Sequence, residues 1–338
     1  MDLGYFGLSG NLRKTTVILG AGASRGAEFV KSQVGILPPL DLDFFQQVAR
    51  LNNCREADSL LAFVQEEYRG EPHLSMERFF SEADYTDRFH AELHVDRGPR
   101  VKRYRRALTD FYVVVARLLS ESADKTCTFH ESIADRLSAN DSILSFNYDC
   151  IMDSALRDAG GNRWDPARGG YGCDIKGAVS VWRQSTQGRP PQGSIQLLKM
   201  HGSLNWEVAA DATVSLRPAM LKTSAEGAII PPSWFKDLTR KPFASIWGTA
   251  RKALRSARIL IVVGYSVPAT DLFSQSLLKV EVGAEAILDA VVLVNPDREA
   301  RRRFIDIIRD GLNPKTRVLE YSTLRELHDR LTLGKALL

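Results

Sequence analysis

Four cysteines in 338 residues, Cys54, Cys127, Cys150 and Cys173, lie far apart in the sequence. No Cys-x-x-Cys pair exists, so a structural zinc site is not expected. No apolar run approaches the roughly 20 residues that cross a bilayer, so no membrane association is expected. The N-terminal stretch MDLGYFGLSGNLRKTT has no basic region followed by an apolar one, so no signal peptide is read there. Scattered cysteines without an export signal fit a reducing, cytoplasmic location. The chain has no internal repeat and no low-complexity tract. Neither sign of charge dominates: a net charge of +4 does not by itself argue for nucleic acid. Of the six histidines, His90 and His94 are spaced one helical turn apart, but HAELH places Glu92 one position late for a zinc-protease motif.

What is present is globular. Hydrophobic residues make up 44% and charged residues 25%, enough for one large domain with an embedded module, or two domains. The run Thr16-Val17-Ile18-Leu19 predicts a buried strand over 16–20, and Pro38-Pro39 makes 24–41 loop-like. From Asp41 to Leu137 the apolar spacing turns helical. A long helix is predicted over 100–122, and another over 128–137 with Thr128 as its cap and Glu131 three residues on. Beyond it, short apolar strands alternate with helices. Strands are predicted at 142–146, before His201, and at 258–263, 290–294 and TRVLEYS. Helices follow 147, over 242–257, after Pro268, after Asp297 and over 322–335. Such alternation predicts an α/β fold, a Rossmann-like parallel sheet with helices on both faces, plus an inserted helical module. Residues 1–40 and 139–338 form the sheet domain in this reading, and 41–138 the insert.

Ligands of open parallel sheets bind beyond the carboxyl ends of the strands. The first predicted strand stops at Gly20-Ala21-Gly22-Ala23-Ser24, a phosphate-sized cradle or simply a tight strand-to-helix turn. The third glycine, Gly26, is one place late for a dinucleotide fingerprint. Later strands end in Asn147-Tyr148-Asp149, His201-Gly202-Ser203, Gly264-Tyr265-Ser266 and Asn295-Pro296-Asp297. One polar strand end is commonly a helix cap; five together favour a nucleotide-sized site.

GAGAS, SFNYD, KMHGS, VVGYSVPATD and VNPD resemble, in order, the motifs of sirtuins and their bacterial sirtuin-like relatives. Two features depart from the protein deacylases. The interval 207–257, where those enzymes carry two zinc-binding Cys-x-x-Cys pairs, contains no cysteine, and a long helical block separates the first two motifs. In both respects the chain resembles the sirtuin-like NADase domain of bacterial anti-phage systems. The resemblance implies NAD as substrate, hydrolysed to nicotinamide and ADP-ribose, with no metal. It implies that Asn147 orients a ribose hydroxyl or the attacking water, its amide offering donor and acceptor. It implies His201 as base and Asp149 as a contact to the nicotinamide amide. The loop Gly20, Ala21, Gly22, Ala23 and Ser24 would hold the pyrophosphate, with Gly264, Ser266 and Asn295 on the adenosine half. It further implies an NAD-depleting effector held in check as a homo-oligomer or by a partner such as a HerA-type ATPase or a short Argonaute. The alternatives are a regulatory subunit that binds NAD or cyclic ADP-ribose without turnover, and an NAD-dependent deacylase or ADP-ribosyltransferase. The basic run RGPRVKRYRRA, 97–107, is read as a solvated helix start or oligomer contact, direct nucleic-acid binding being the less favoured role.

Overall fold

The runs rich in Val, Ile and Leu become strands with no exposed face. In the computed structural model, the described residues are 14–332 apart from 34, 93–97, 124, 177–178, 183–193, 220–222, 233–237, 240, 269–270 and 284–287. The strands are β1 (Thr15–Leu19), β2 (Ser142–Ser145), β3 (Gln196–Lys199), β4 (Trp206–Val208), β5 (Val214–Leu216), β6 (Ile259–Val263), β7 (Ala290–Val294) and β8 (Arg317–Tyr321). Six of them form a parallel sheet in the order β3-β2-β1-β6-β7-β8, and β4 and β5 pair as a separate hairpin. Thr16 lies opposite Ser142 on one side and Leu260 on the other. Every residue of β1, β6 and β7 is buried, each apolar side chain contributing roughly 2 kcal/mol. The outer strand β8 is mostly exposed and carries Arg317 and Glu320, charges that discourage edge-to-edge pairing.

The helices are α1 (Ala21–Arg25), α2 (Phe44–Val48), α3 (Arg55–Glu67), α4 (Met76–Glu92), α5 (Pro99–Ser120), α6 (Thr128–Arg136), α7 (Ile151–Ala159), α8 (Phe243–Ser256), α9 (Leu272–Gly283), α10 (Arg298–Ile308) and α11 (Leu324–Thr332). Helix α6 packs on α7 and α11, while α8 packs on α9 and α9 on α10, giving two helical layers around the sheet. The chain is thus α/β and Rossmann-like with additional helices. Its strand order reverses between β1 and β6, and that crevice is where such sheets bind ligands.

The additional helices α2 to α5 intervene between β1 and β2. Helices α3 and α4 both pack on α5 around an aromatic cluster of Phe44, Phe63, Phe79, Phe80 and Phe111, continuous with the main core. Local differences from the sequence reading have physical causes. Within 24–41 the chain makes a single turn of 3-10 helix at Glu28–Lys31. Thr128 is the first residue of α6 rather than its cap; its hydroxyl bonds Glu28, and Cys127 holds the cap position. After β2 the chain turns through 147–150 before α7 begins at Ile151.

The basic run is largely neutralised among the additional helices. Arg100 pairs with Glu67, Arg103 with Glu66, Arg105 with Asp87, and Arg106 with Asp110. Arg97 and His94 lie outside the described residues. No described helix is long and apolar enough to cross a membrane.

Candidate functional site

At the switch point, the loops after β1 and β6 touch backbone to backbone. A Cβ on Gly20 would lie 2.6 Å from the Gly264 carbonyl oxygen, and one on Gly22 would lie 2.7 Å from the Gly264 Cα. Gly264 has φ +60°, and a Cβ there would lie 2.1 Å from the Ala23 nitrogen. Three glycines are therefore required for packing alone. Their amides are also engaged: Gly20 donates to Val263, Gly22 to Gly264, Ala23 to Gly20 and Gly264 to Val294. The helix expected to direct a dipole at phosphate, α1, is a single turn. Ala21 is exposed and Gly22 half-buried, so this edge of the loop still faces the crevice.

Asn147 follows β2 and is anchored on that loop. Its Nδ2 donates to the Gly20 carbonyl at 2.9 Å and to Ser24 Oγ at 2.9 Å. A backbone carbonyl only accepts, which fixes the orientation of the amide. Ser24 Oγ in turn donates to Asp149 Oδ2 at 2.5 Å. The other Asp149 oxygen accepts from the Ile151 amide and caps α7. Asn147 Oδ1 remains: it is buried and has no hydrogen-bond partner. Such an acceptor is costly unless something donates to it.

His201 follows β3 and lies on the far side of Phe146. The ring of Phe146 stacks on Tyr265 at 4.4 Å and meets His201 edge-on at 5.3 Å. Trp247, whose indole donates to the Met200 carbonyl, and Tyr148 complete the wall around the imidazole. Gly202 is required beside it: at φ +84°, a Cβ would lie 2.2 Å from the Ala228 oxygen. The Tyr148 hydroxyl donates to Ile230, and the Ile230 amide to the His201 carbonyl, so the strand ends are tied together. Burial pushes the Tyr148 hydroxyl well above the usual phenol range, and Tyr112, Glu77, Asp271 and Asp41 around it add to this. Glu77 lies in α4 and Asp41 shortly before α2, and Asp41 also accepts from the Glu77 amide at the start of α4.

The adenosine-side residues of the sequence reading are near one another but serve the fold. Gly264 is half-buried and Ser266 exposed. Asn295 accepts from the Asp297 amide at 3.0 Å and approaches the Tyr265 carbonyl at 3.5 Å. Arg303, not foreseen, reaches the Ser266 carbonyl at 3.3 Å.

Behind His201 lies a network that the motifs did not reveal. Lys199 is fully buried and pairs with Asp153 at 3.1 Å. Asp153 also accepts from Tyr171 at 2.5 Å and Asn205 at 3.3 Å. Burial pulls the Lys199 ammonium down, but Asp153, Cys150 and Asp149 outweigh it and its pKa lies above the ordinary value. A lone lysine within QLLKM, an otherwise apolar strand, was the available signal. Among the described residues no group of three or more His, Cys, Asp or Glu could hold a metal ion.

A polar cavity of about 260 Å³ lies at the opposite, amino-terminal ends of β1 to β3, between Lys14, Ser142, Gln196 and Lys252. Its hydroxyls Thr16, Thr249 and Ser256 donate to carbonyls of α8, so it presents lone pairs and two ammonium groups without a converging set of donors.

Among known proteins, residues 141–301 match the family model described as SIR2-like domain. No curated protein matches the chain. One similar solved structure is a Sir2 homologue carrying a serine-to-alanine substitution, in complex with ADP-ribose. It is 14% identical, covers 96% of this chain and 92% of its own, and superposes with a TM-score of 0.42. The family match takes in the loop after β2, the His-Gly turn and the loops after β6 and β7, and residues 141–301 of this chain are similar to a SIR2-like domain.

Proposed function

We propose that the chain is an NAD+ glycohydrolase that converts NAD to nicotinamide and ADP-ribose. The observation that carries this reading is the buried, unpartnered Asn147 Oδ1 at the carboxyl end of the sheet, with His201 across Phe146. Similarity to a SIR2-like domain supports NAD as the ligand. In the reaction, the bond between ribose C1′ and the nicotinamide nitrogen breaks, and nicotinamide leaves as a neutral base. Water adds to the oxocarbenium-like C1′, and the proton it loses passes to His201 and then to solvent. Both amide protons of Asn147 are already committed, so Asn147 acts only as an acceptor, for a ribose hydroxyl or the attacking water. Ser24 and Asp149 hold that amide in place, and the edge of the loop at Ala21 and Gly22 lies along the pyrophosphate. Gly264, Ser266 and Asn295 border the adenosine half.

An effector that depletes NAD must be restrained. We therefore propose that the protein works in anti-phage defence as a homo-oligomer, or under a partner such as a HerA-type ATPase or a short Argonaute. Exposed Leu272, Phe273 and Val280 on α9 support an assembly contact.

The test is to incubate purified protein with NAD and quantify nicotinamide and ADP-ribose beside Asn147→Ala and His201→Ala. Release without an acyl peptide, lost in both variants, supports hydrolysis at this site. Equal release from the variants would overturn it. Tight NAD binding without release would favour a regulatory subunit.

A further inference from the structure

We infer that Asp271 is the positioning residue of His201, holding the imidazole in orientation and stabilising the imidazolium that forms when His201 takes a proton. The inference rests on His201 serving as base in the proposed hydrolysis.

Asp271 ends the loop that follows β6 and immediately precedes α9. Its Oδ2 lies 4.0 Å from His201 Nε2, and both side chains are almost fully enclosed. The carboxylate is itself held: Oδ2 accepts from Ser274 Oγ at 2.7 Å and Oδ1 approaches the Ser274 amide at 3.3 Å. The oxygen that accepts from Ser274 at the start of a twelve-residue helix is thus also the one nearest the imidazole. A base is oriented by an acid of this kind when the acid is anchored more rigidly than the ring. Here the ring is confined by Phe146, Tyr148 and Trp247, and the acid by the helix start.

Asp271 is the carboxylate that approaches the imidazole within 4.0 Å. From the loop after β2, Tyr148 faces the ring; from the loop after β6, Tyr265 lies beside Asp271 and Ser274. Burial, first of all, keeps both phenols neutral across the working range. Glu77 lies near both Tyr148 and Tyr265, and Asp41, near Tyr148, accepts from the Glu77 amide. In the catalytic step the proton moves from water to His201, and Asp271 stays ionised throughout.

Asp271 would occupy the same place if it only capped α9, so the test separates the two roles. Asn and Ser start helices about as well as Asp, so Asp271→Asn and Asp271→Ser keep the cap and remove the charge. Ser274→Ala weakens the cap and keeps the charge. The readout is the His201 pKa, from NMR titration of histidine-labelled protein with the resonance assigned by its loss in His201→Ala. Removing a nearby carboxylate lowers a histidine pKa by about one unit. The same variants are expected to lose roughly 10²-fold in kcat with KM for NAD little changed. The acid limb of the kcat profile is expected to move to lower pH with the NMR value. Ser274→Ala is expected to leave the titration in place.

An unmoved His201 titration in both Asp271 variants overturns the inference, as does an equal shift in Ser274→Ala. If the wild-type protein releases no nicotinamide, the hydrolase reading falls, while the titration still decides the pairing.

Discussion

Asn147 Nδ2 lies 2.9 Å from Ser24 Oγ, and that contact joins the loop after β2 to the loop after β1. It commits the amide as donor to the protein and leaves only its oxygen for a ligand. Asn147→Asp is therefore the informative substitution. An oxygen would then face the Gly20 carbonyl, with a negative charge added. Expected are a loss of activity of at least about 10²-fold and a stability loss of about 1–3 kcal/mol. Ser24→Ala removes both the acceptor for one Asn147 amide proton and the bridge to Asp149. It should cost about 1 kcal/mol and lower kcat more than it raises KM. Paired kinetics and urea melts check both; an Asn147→Asp protein with wild-type turnover would remove Asn147 from the chemistry.

The glycines predict a second contrast. Gly264→Ala places a Cβ at 2.1 Å from the Ala23 nitrogen in a left-handed conformation. Backbone cannot yield there as a flexible side chain would, so a loss of roughly 3 kcal/mol or more is expected, with NAD binding lost alongside. Gly98 precedes α5 with open space around its Cβ position, so Gly98→Ala should change stability by less than about 0.5 kcal/mol. Thermal denaturation of the two variants compares them directly.

Lys199 supplies a third. Truncation to Met leaves Asp153 charged, buried and short of its cation, which costs about 3–5 kcal/mol. Adding Asp153→Asn should recover part of that loss, because the orphaned charge is gone. The pH dependence has a definite sign. Lys199, Tyr148, Tyr171 and Tyr265 all have folded pKa values above their ordinary ones of 10.5 and 10.0. The folded state holds these protons more tightly, so their contribution is intact below pH 10 and is lost as pH rises beyond it. Urea midpoints should be level between pH 8 and 9.5 and fall steeply by pH 11.

Much of the fold is legible in the sequence. Period-free apolar runs such as ILIVV mark buried parallel strands because both faces are covered, and the polar residue after each run marks the ligand end of the sheet. Asn147 and His201 are two such residues, and the structure places both at the carboxyl ends of their strands. The glycine loop was harder to read. Its composition signalled close approach of backbone, but a sequence does not say whether the approaching group is a pyrophosphate or the loop of Gly264. Asp271 was visible within VVGYSVPATD yet indistinguishable from an ordinary helix cap, because its second contact, to His201, lies 70 positions back in the chain. The donor commitment of Asn147 was equally hidden, since it depends on which way Gly20 turns its carbonyl.

The basic run gives the last prediction. Arg103 forks onto Glu66 and lies over the ring of Phe63 at 5.7 Å, whereas its neighbour Lys102 is exposed. If the run serves the insert, Arg103→Ala should cost about 1 kcal/mol through the lost ion pair and ring contact. Lys102→Ala should fall within about 0.5 kcal/mol of wild type. If the run instead meets nucleic acid, the two substitutions should weaken duplex binding alike and flatten its salt dependence by about one phosphate contact each. Chemical denaturation and a DNA titration over a range of salt distinguish these outcomes. The pairing of Arg100, Arg103, Arg105 and Arg106 with four different acids favours the first, because each cation would have to leave a carboxylate before it could neutralise a phosphate.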